Sequence, residues 1–288
     1  MAHSQLISAK GLDEILDKDD VRVIDCRFDL SDPDAGRRHY EASHIRGAVF
    51  TDLNRDLASA PTQFSGRHPL PNAADLAATL AALGIGNDTE VVVYDAGNGA
   101  MAVRAWWLLR WLGHDKVRLL DGGLASWSSV YPLSSDAVSH AARDFTVKVR
   151  GEMVISTDEI EASGEECASL ILLDARDPAR FRGEVEPIDK VAGHVPGASN
   201  FPLTDSLTPD GLWKSQQELE ALWRDQFGVS TQTPWVAMCG SGVTACHLAL
   251  SAMQAGYREP RLYVGSWSEW IVDSGRPVAR SPGENAAK

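Results

Sequence analysis

The chain has 288 residues, enough for one large domain or two of ordinary size, and 44% apolar and 23% charged residues suit a soluble globular protein. A formal net charge of -13 disfavours nucleic acid or an anionic membrane surface as a partner, since both call for basic patches. An anionic small molecule stays open, because a small site keeps its own local field.

The opening MAHSQLISAK lacks the apolar core of a signal peptide, and no stretch approaches about eighteen uninterrupted apolar residues. Four scattered cysteines, Cys26, Cys167, Cys239 and Cys246, include no C-x-x-C pair. They read as free thiols in a reducing, cytoplasmic setting rather than as a disulfide framework or a zinc site.

In chain order, VRVIDCRF (21–28) is an apolar β-type run ending in Asp-x-Arg at Asp25, and HIRGA follows from His44. AADLAATLAALGIG (73–86) has the pattern of an amphipathic helix. EVVVYDAGNGA (90–100) is a buried-type strand entering a glycine loop, AVRAWWLLRWLG (102–113) a helix, and RLLDGGLASW (118–127) a strand, a glycine turn and a Trp-bearing helix start. Residues 136–154 are polar and without helical period, a linker pattern. Ser156 with Glu159 then forms a capping-box signature for a new helix.

The order now repeats. LILLDARD (170–177) carries Asp174, HVPGA starts at His194, PWVAMCGSGVT (234–244) leads into TACHLALSAMQAG, and RLYVGSWSEW (261–270) closes the series. The separations Asp25–Asp174, His44–His194, Asp95–Cys239 and Trp127–Trp270 are 149, 150, 144 and 143 residues. Four features in one order with so little drift indicate a duplicated domain. Alternating strands and helices predict an α/β fold of two similar domains, each a mainly parallel sheet flanked by helices. The expected boundaries are 5–135, a linker over 136–154, and 155–282.

The two copies differ chemically at one junction, Asp95 in the first and Cys239 in the second. Strand ends in open α/β sheets are where sites are built. Gly240 and Gly242 allow the loop to turn its backbone N–H groups inward as an anion nest, and the helix beginning near Thr244 adds the positive end of its dipole. These surroundings favour a thiolate nucleophile. A cysteine phosphatase would need an arginine six residues on, where Ala245 stands. Cys26, Cys167 and Cys246 lack such surroundings and read as structural, as do the recurring Asp25, Asp174, His44 and His194.

The paired D-x-R…H-[IV]-x-G-A signatures, the GGLASW and GSWSEW turns and CGSGVTA resemble the two-domain sulfurtransferases of the rhodanese superfamily, over roughly residues 5 to 280. The uncharged loop is similar to the 3-mercaptopyruvate branch; thiosulfate sulfurtransferases carry a basic one. The resemblance implies an inactive first domain and a catalytic second domain. It also implies a Cys239 persulfide held by loop N–H groups from Gly240 through Gly242 and Val243 to Thr244, with no metal or organic cofactor. The implied partners are a small-molecule sulfur donor and a thiol, thioredoxin-like or cyanide acceptor, with no nucleic acid and no membrane.

It further assigns Arg180 in DPARFRG to the donor carboxylate, and Ser241 with His68 in GRHPLP to a proton relay. The relay's acidic member is left open as Asp52, Asp56 or none, because the matching position is Asn54. A second arginine of the branch, in an E-P-R segment, is replaced by Ile188, with Lys190 nearby as a substitute and Arg182 two residues beyond Arg180. The departure keeps thiosulfate open as an alternative donor; a non-catalytic binding module would have no need of Cys239.

Overall fold

Each half of the chain builds the middle of its sheet from short apolar runs buried on both faces, which is why these central strands lack polar alternation. The computed structural model describes residues 4–164 and 170–281. Cys167 lies outside the described residues. In the first half the strands are β1 (Leu6–Ile7), β2 (Val21–Asp25), β3 (Val49–Phe50), β4 (Glu90–Tyr94) and β5 (Val117–Leu120). In the second they are β6 (Val154–Ile155), β7 (Leu172–Asp174), β8 (Ser199–Asn200), β9 (Val236–Met238) and β10 (Arg261–Tyr263).

Both sheets are wholly parallel and have the same order, β1-β5-β4-β2-β3 and β6-β10-β9-β7-β8. Parallel neighbours require crossovers. Helices supply most of them: α1 (Ala9–Asp13), α2 (Ala35–Ala42), α3 (Ala73–Ala82), α4 (Ala102–Trp111) and α5 (Gly123–Ser128), then α6 (Thr157–Glu161), α7 (Pro178–Arg182), α8 (Gln216–Phe227), α9 (Ala245–Gln254) and α10 (Ser266–Trp270). The capping box at Ser156 and Glu159 is formed. β4 and β9 hold the middle of their sheets, so the loops after them open at the centre of each carboxyl edge.

The duplication extends to single hydrogen bonds. Arg27 grips Asp25 through Nε and Nη2 at 2.7–3.0 Å and donates to the Ser43 carbonyl; Arg176 grips Asp174 in the same way and donates to the Gly193 carbonyl. These bidentate pairs are buried, and the carboxylates also cap their own turns through the Arg27 and Arg176 N–H groups. His44 and His194 place Nδ1 2.7 Å from the carbonyls of Tyr40 and Phe181 and stack on those same rings. Trp127 and Trp270 each donate Nε1 to a proline carbonyl, of Pro132 and Pro277.

The chain forms two compact units that do not follow its midpoint. One comprises residues 1–59, 70–151 and 207–213, and the other 60–69, 152–206 and 214–288. The segment with linker composition is strapped to the first unit through residue 151: Arg143, Lys148 and Arg150 donate backbone N–H groups to the carbonyls of Ala81, Leu112 and Trp111. Among the described residues no helix is long and apolar enough to cross a membrane.

Candidate active site

Chain direction reverses immediately after β9. Cys239 leads out of the strand, Gly242 takes φ +73°, and α9 begins at Ala245. A Cβ at Gly242 would lie 2.3 Å from the Val264 carbonyl oxygen, so this close approach admits only glycine. The start of α10 fixes the loop from the other side. Trp267 and Ser268 donate their N–H groups to the Cys239 and Gly240 carbonyls at 3.0 and 2.9 Å. Ser266 accepts the Cys239 N–H on Oγ at 3.1 Å and donates to the Tyr263 carbonyl at 2.7 Å. To do so it adopts φ +51°, which no other non-glycine among the described residues shares. Cys239 itself is 1% exposed.

The first unit shows what such a loop holds. Leu124 and Ala125 pin Asp95 and Ala96 as Trp267 and Ser268 pin Cys239 and Gly240, and Gly99 and Gly123 repeat the positive φ of Gly242 and Ser266. The Asp95 carboxylate accepts four backbone N–H groups, from Gly97, Gly99, Met101 and Ala102, at 2.9–3.2 Å. The strand–loop–helix turn is thus an anion nest, filled in the first unit by the residue standing in the cysteine's place.

Segment 60–69, which belongs to the second unit, brings Arg67 and His68 to the loop. Gly66 N–H donates to Glu269, Arg67 N–H donates to Ser268 Oγ at 3.1 Å, and a Cβ on Gly66 would meet the Gly265 carbonyl at 2.5 Å. Held there, His68 Nδ1 lies 2.8 Å from Ser241 Oγ, both residues buried. The sequence-level pairing of Ser241 with His68 is therefore a contact. Asp52 and Asp56, in the first unit, cap their own turn: Asp52 accepts the Asn54 and Arg55 N–H groups and Asp56 accepts that of Asp52.

Arg180 reaches the same loop from α7, whose start is set by the Asp177 cap and Pro178. Its Nη2 and Nη1 lie 3.7 and 3.8 Å from where a Gly240 Cβ would stand, beside Arg67 Nη2 at 2.9 Å. Arg180 donates to Glu186 at 2.7–3.3 Å and to Asp189 at 3.2 Å, and Arg67 also pairs with Asp189. Burial raises the Asp189 carboxyl above its usual value despite the pull of Arg67. At Glu186 burial acts upward too, but the Arg180 hydrogen bond and the Asp189 and Ile188 N–H groups outweigh it and hold the group low.

Of the remaining sequence candidates, Val243 is buried and Thr244 precedes α9 without a side-chain cap. Lys190 is exposed, and Arg182 pairs with Glu184 rather than turning to the loop. The second cation beside Gly240 is instead Arg67, which sequence reasoning passed over; its signal was a basic residue adjoining His68. Among the described residues no group of three or more His, Cys, Asp or Glu side chains could hold a metal.

Comparison with known proteins adds an independent line. The family model described as "Rhodanese-like domain" matches residues 8–130 and 156–273, once in each half. A Pseudomonas aeruginosa protein named "Probable 3-mercaptopyruvate sulfurtransferase" is 48% identical over 97% of this chain and 99% of its own length. A Mycobacterium tuberculosis protein named "Putative thiosulfate sulfurtransferase SseB" is 40% identical over 91% of this chain and 92% of its own. Among solved structures, SseA from Escherichia coli, described as a 3-mercaptopyruvate sulfotransferase, superposes with a TM-score of 0.80 at 34% identity. That match covers 93% of this chain and 100% of SseA.

Proposed function

The chain belongs to the rhodanese family, and from that premise we propose that it is a sulfurtransferase that takes sulfur from 3-mercaptopyruvate onto Cys239 and passes it to a thiol or cyanide. The observation that carries this reading is the pairing of Cys239 with a loop whose twin, in the first unit, binds a carboxylate through four N–H groups. A persulfide anion has the reach of an aspartate carboxylate: its outer sulfur stands one bond beyond Sγ, as the carboxylate oxygens stand one bond beyond Cγ. By that analogy the nest from Gly240 to Thr244 holds the persulfide, and the first domain, with Asp95 in the slot, is inactive.

Cys239 thiolate attacks the donor sulfur, the S–C3 bond breaks, and its electron pair leaves as the enolate of pyruvate. The persulfide S–H proton passes to the enolate carbon, so that thiolate plus 3-mercaptopyruvate gives persulfide anion plus pyruvate. Ser241 and His68 carry that proton: they are hydrogen-bonded to each other, and Ser241 stands two residues on from Cys239. An acceptor thiolate or cyanide then takes the outer sulfur and restores the Cys239 thiolate. Arg180, with its fork beside Gly240, holds the donor carboxylate.

Thiosulfate is the second reading, favoured by the Mycobacterium relative and by two guanidinium groups beside an otherwise uncharged loop. One comparison decides. Pyruvate release from 3-mercaptopyruvate should exceed thiocyanate formation from thiosulfate and cyanide in kcat/KM, whereas the reverse order would make thiosulfate the donor.

A further inference from the structure

Two guanidinium groups, not one, stand over Gly240, and they come from segments more than a hundred residues apart. Arg67 arrives on the segment pinned by Ser268 and Glu269, Arg180 on α7. Both reach the side of the loop next to Cys239, with Arg67 Nη2 nearer than either terminal nitrogen of Arg180. They converge on one carboxylate: Asp189 pairs through Oδ1 with Arg67 and through Oδ2 with Arg180. Two cations bridged by one carboxylate, with an arginine fork on each side, is the arrangement that a bound carboxylate donor would meet.

The turn that delivers Asp189 explains why the bridge forms. Glu186 Oε1 accepts the Ile188 and Asp189 N–H groups and the Arg180 Nη2, so the Glu186–Asp189 turn is built around Arg180. The Ile188 side chain faces solvent. Position 188 therefore contributes no charge to the loop, and the charge comes from Arg67. Arg67 Nε, like Arg176 Nη1, is buried and has no hydrogen-bond partner among the described residues. Arg176, the third arginine nearby, is committed to Asp174 and Glu186.

We propose that Arg67 is the second arm of the substrate clamp: together with Arg180 it binds the carboxylate of the 2-oxo acid donor, and Asp189 holds the pair in register by bridging them between turnovers. This rests on 3-mercaptopyruvate as the donor. Burial weakens Asp189 as an anion, which suits a bridge that gives way to an incoming carboxylate.

The test compares 3-mercaptopyruvate with mercaptoacetone, which has the same thiol and ketone but a methyl group for the carboxylate. Wild type, Arg67→Met and Arg67→Lys are assayed with both donors, with the lysine variant keeping the charge if the methionine variant folds poorly. In Arg67→Met, kcat/KM for 3-mercaptopyruvate should fall by about tenfold to a hundredfold through KM, and that for mercaptoacetone by much less. Arg67→Lys should fall between. An equal fall for both donors, or none, would overturn the assignment of Arg67. A wild type that prefers thiosulfate to 3-mercaptopyruvate would instead overturn the donor, so the two failures are told apart.

Discussion

Asp95 and Cys239 occupy one position in two copies of the same strand–loop–helix turn, and in the first copy four backbone N–H groups surround the Asp95 carboxylate. Removing the acceptor should expose its structural value. Asp95→Ala leaves the N–H groups of Gly97, Gly99, Met101 and Ala102 without their partner, at about 1–3 kcal/mol for each buried group that water cannot reach. Denaturant unfolding should show a loss of at least about 2 kcal/mol, with turnover by the folded fraction intact. Unchanged stability would mean that the nest does not depend on its anion.

Ser241 and His68 make a second expectation kinetic. If they carry the proton to the enolate, His68→Ala and Ser241→Ala should each lower kcat with 3-mercaptopyruvate by about 10²–10⁴-fold. The double variant should be little worse than either single one, since the two act as a unit. Additive losses would separate them, and an unchanged kcat would remove the relay.

Ser266 holds left-handed backbone in order to accept the Cys239 N–H. Ser266→Ala keeps the strain and loses the acceptor, a cost of about 1–3 kcal/mol. Ser266→Gly loses the same bond but relieves about 1–2 kcal/mol of backbone strain, so it should be the milder change in an unfolding experiment. A glycine variant at least as unstable as the alanine one would contradict the strain assignment.

Burial holds His114 and His194 below the usual histidine value of 6.5. The folded state favours their neutral forms, whereas the unfolded chain takes up protons more readily. Their contribution is therefore complete above 6.5 and is lost as pH falls through the lower folded values. The stability difference between wild type and His114→Asn should shrink as pH is lowered from about 8 to about 5, measured by urea unfolding. A constant difference would show that His114 does not titrate with folding.

The sequence made the repeat legible because buried central strands, glycine turns and Asp-x-Arg pairs leave strong local patterns. It also singled out Cys239, since the internal comparison with Asp95 came with the chain. The edge strands β1, β3, β6 and β8 were not legible: two residues carry no periodicity. Residues 136–154 read as linker from their polarity, yet the backbone N–H groups of Arg143, Lys148 and Arg150 pair with the first unit, a tertiary choice that composition does not encode. Arg67 was hidden for a similar reason. Its place beside Gly240 depends on Gly66, Ser268 and Glu269, two of them about two hundred residues away, and only folding joins them.

The central claim is that Cys239 carries the transferred sulfur, and single turnover without an acceptor tests it most directly. Enzyme mixed with excess 3-mercaptopyruvate should release one pyruvate per chain in a burst and gain the mass of one sulfur atom on the peptide bearing Cys239. Cys239→Ser should show neither. Pyruvate release by Cys239→Ser, or a sulfur found on Cys26 or Cys246 instead, would contradict the account.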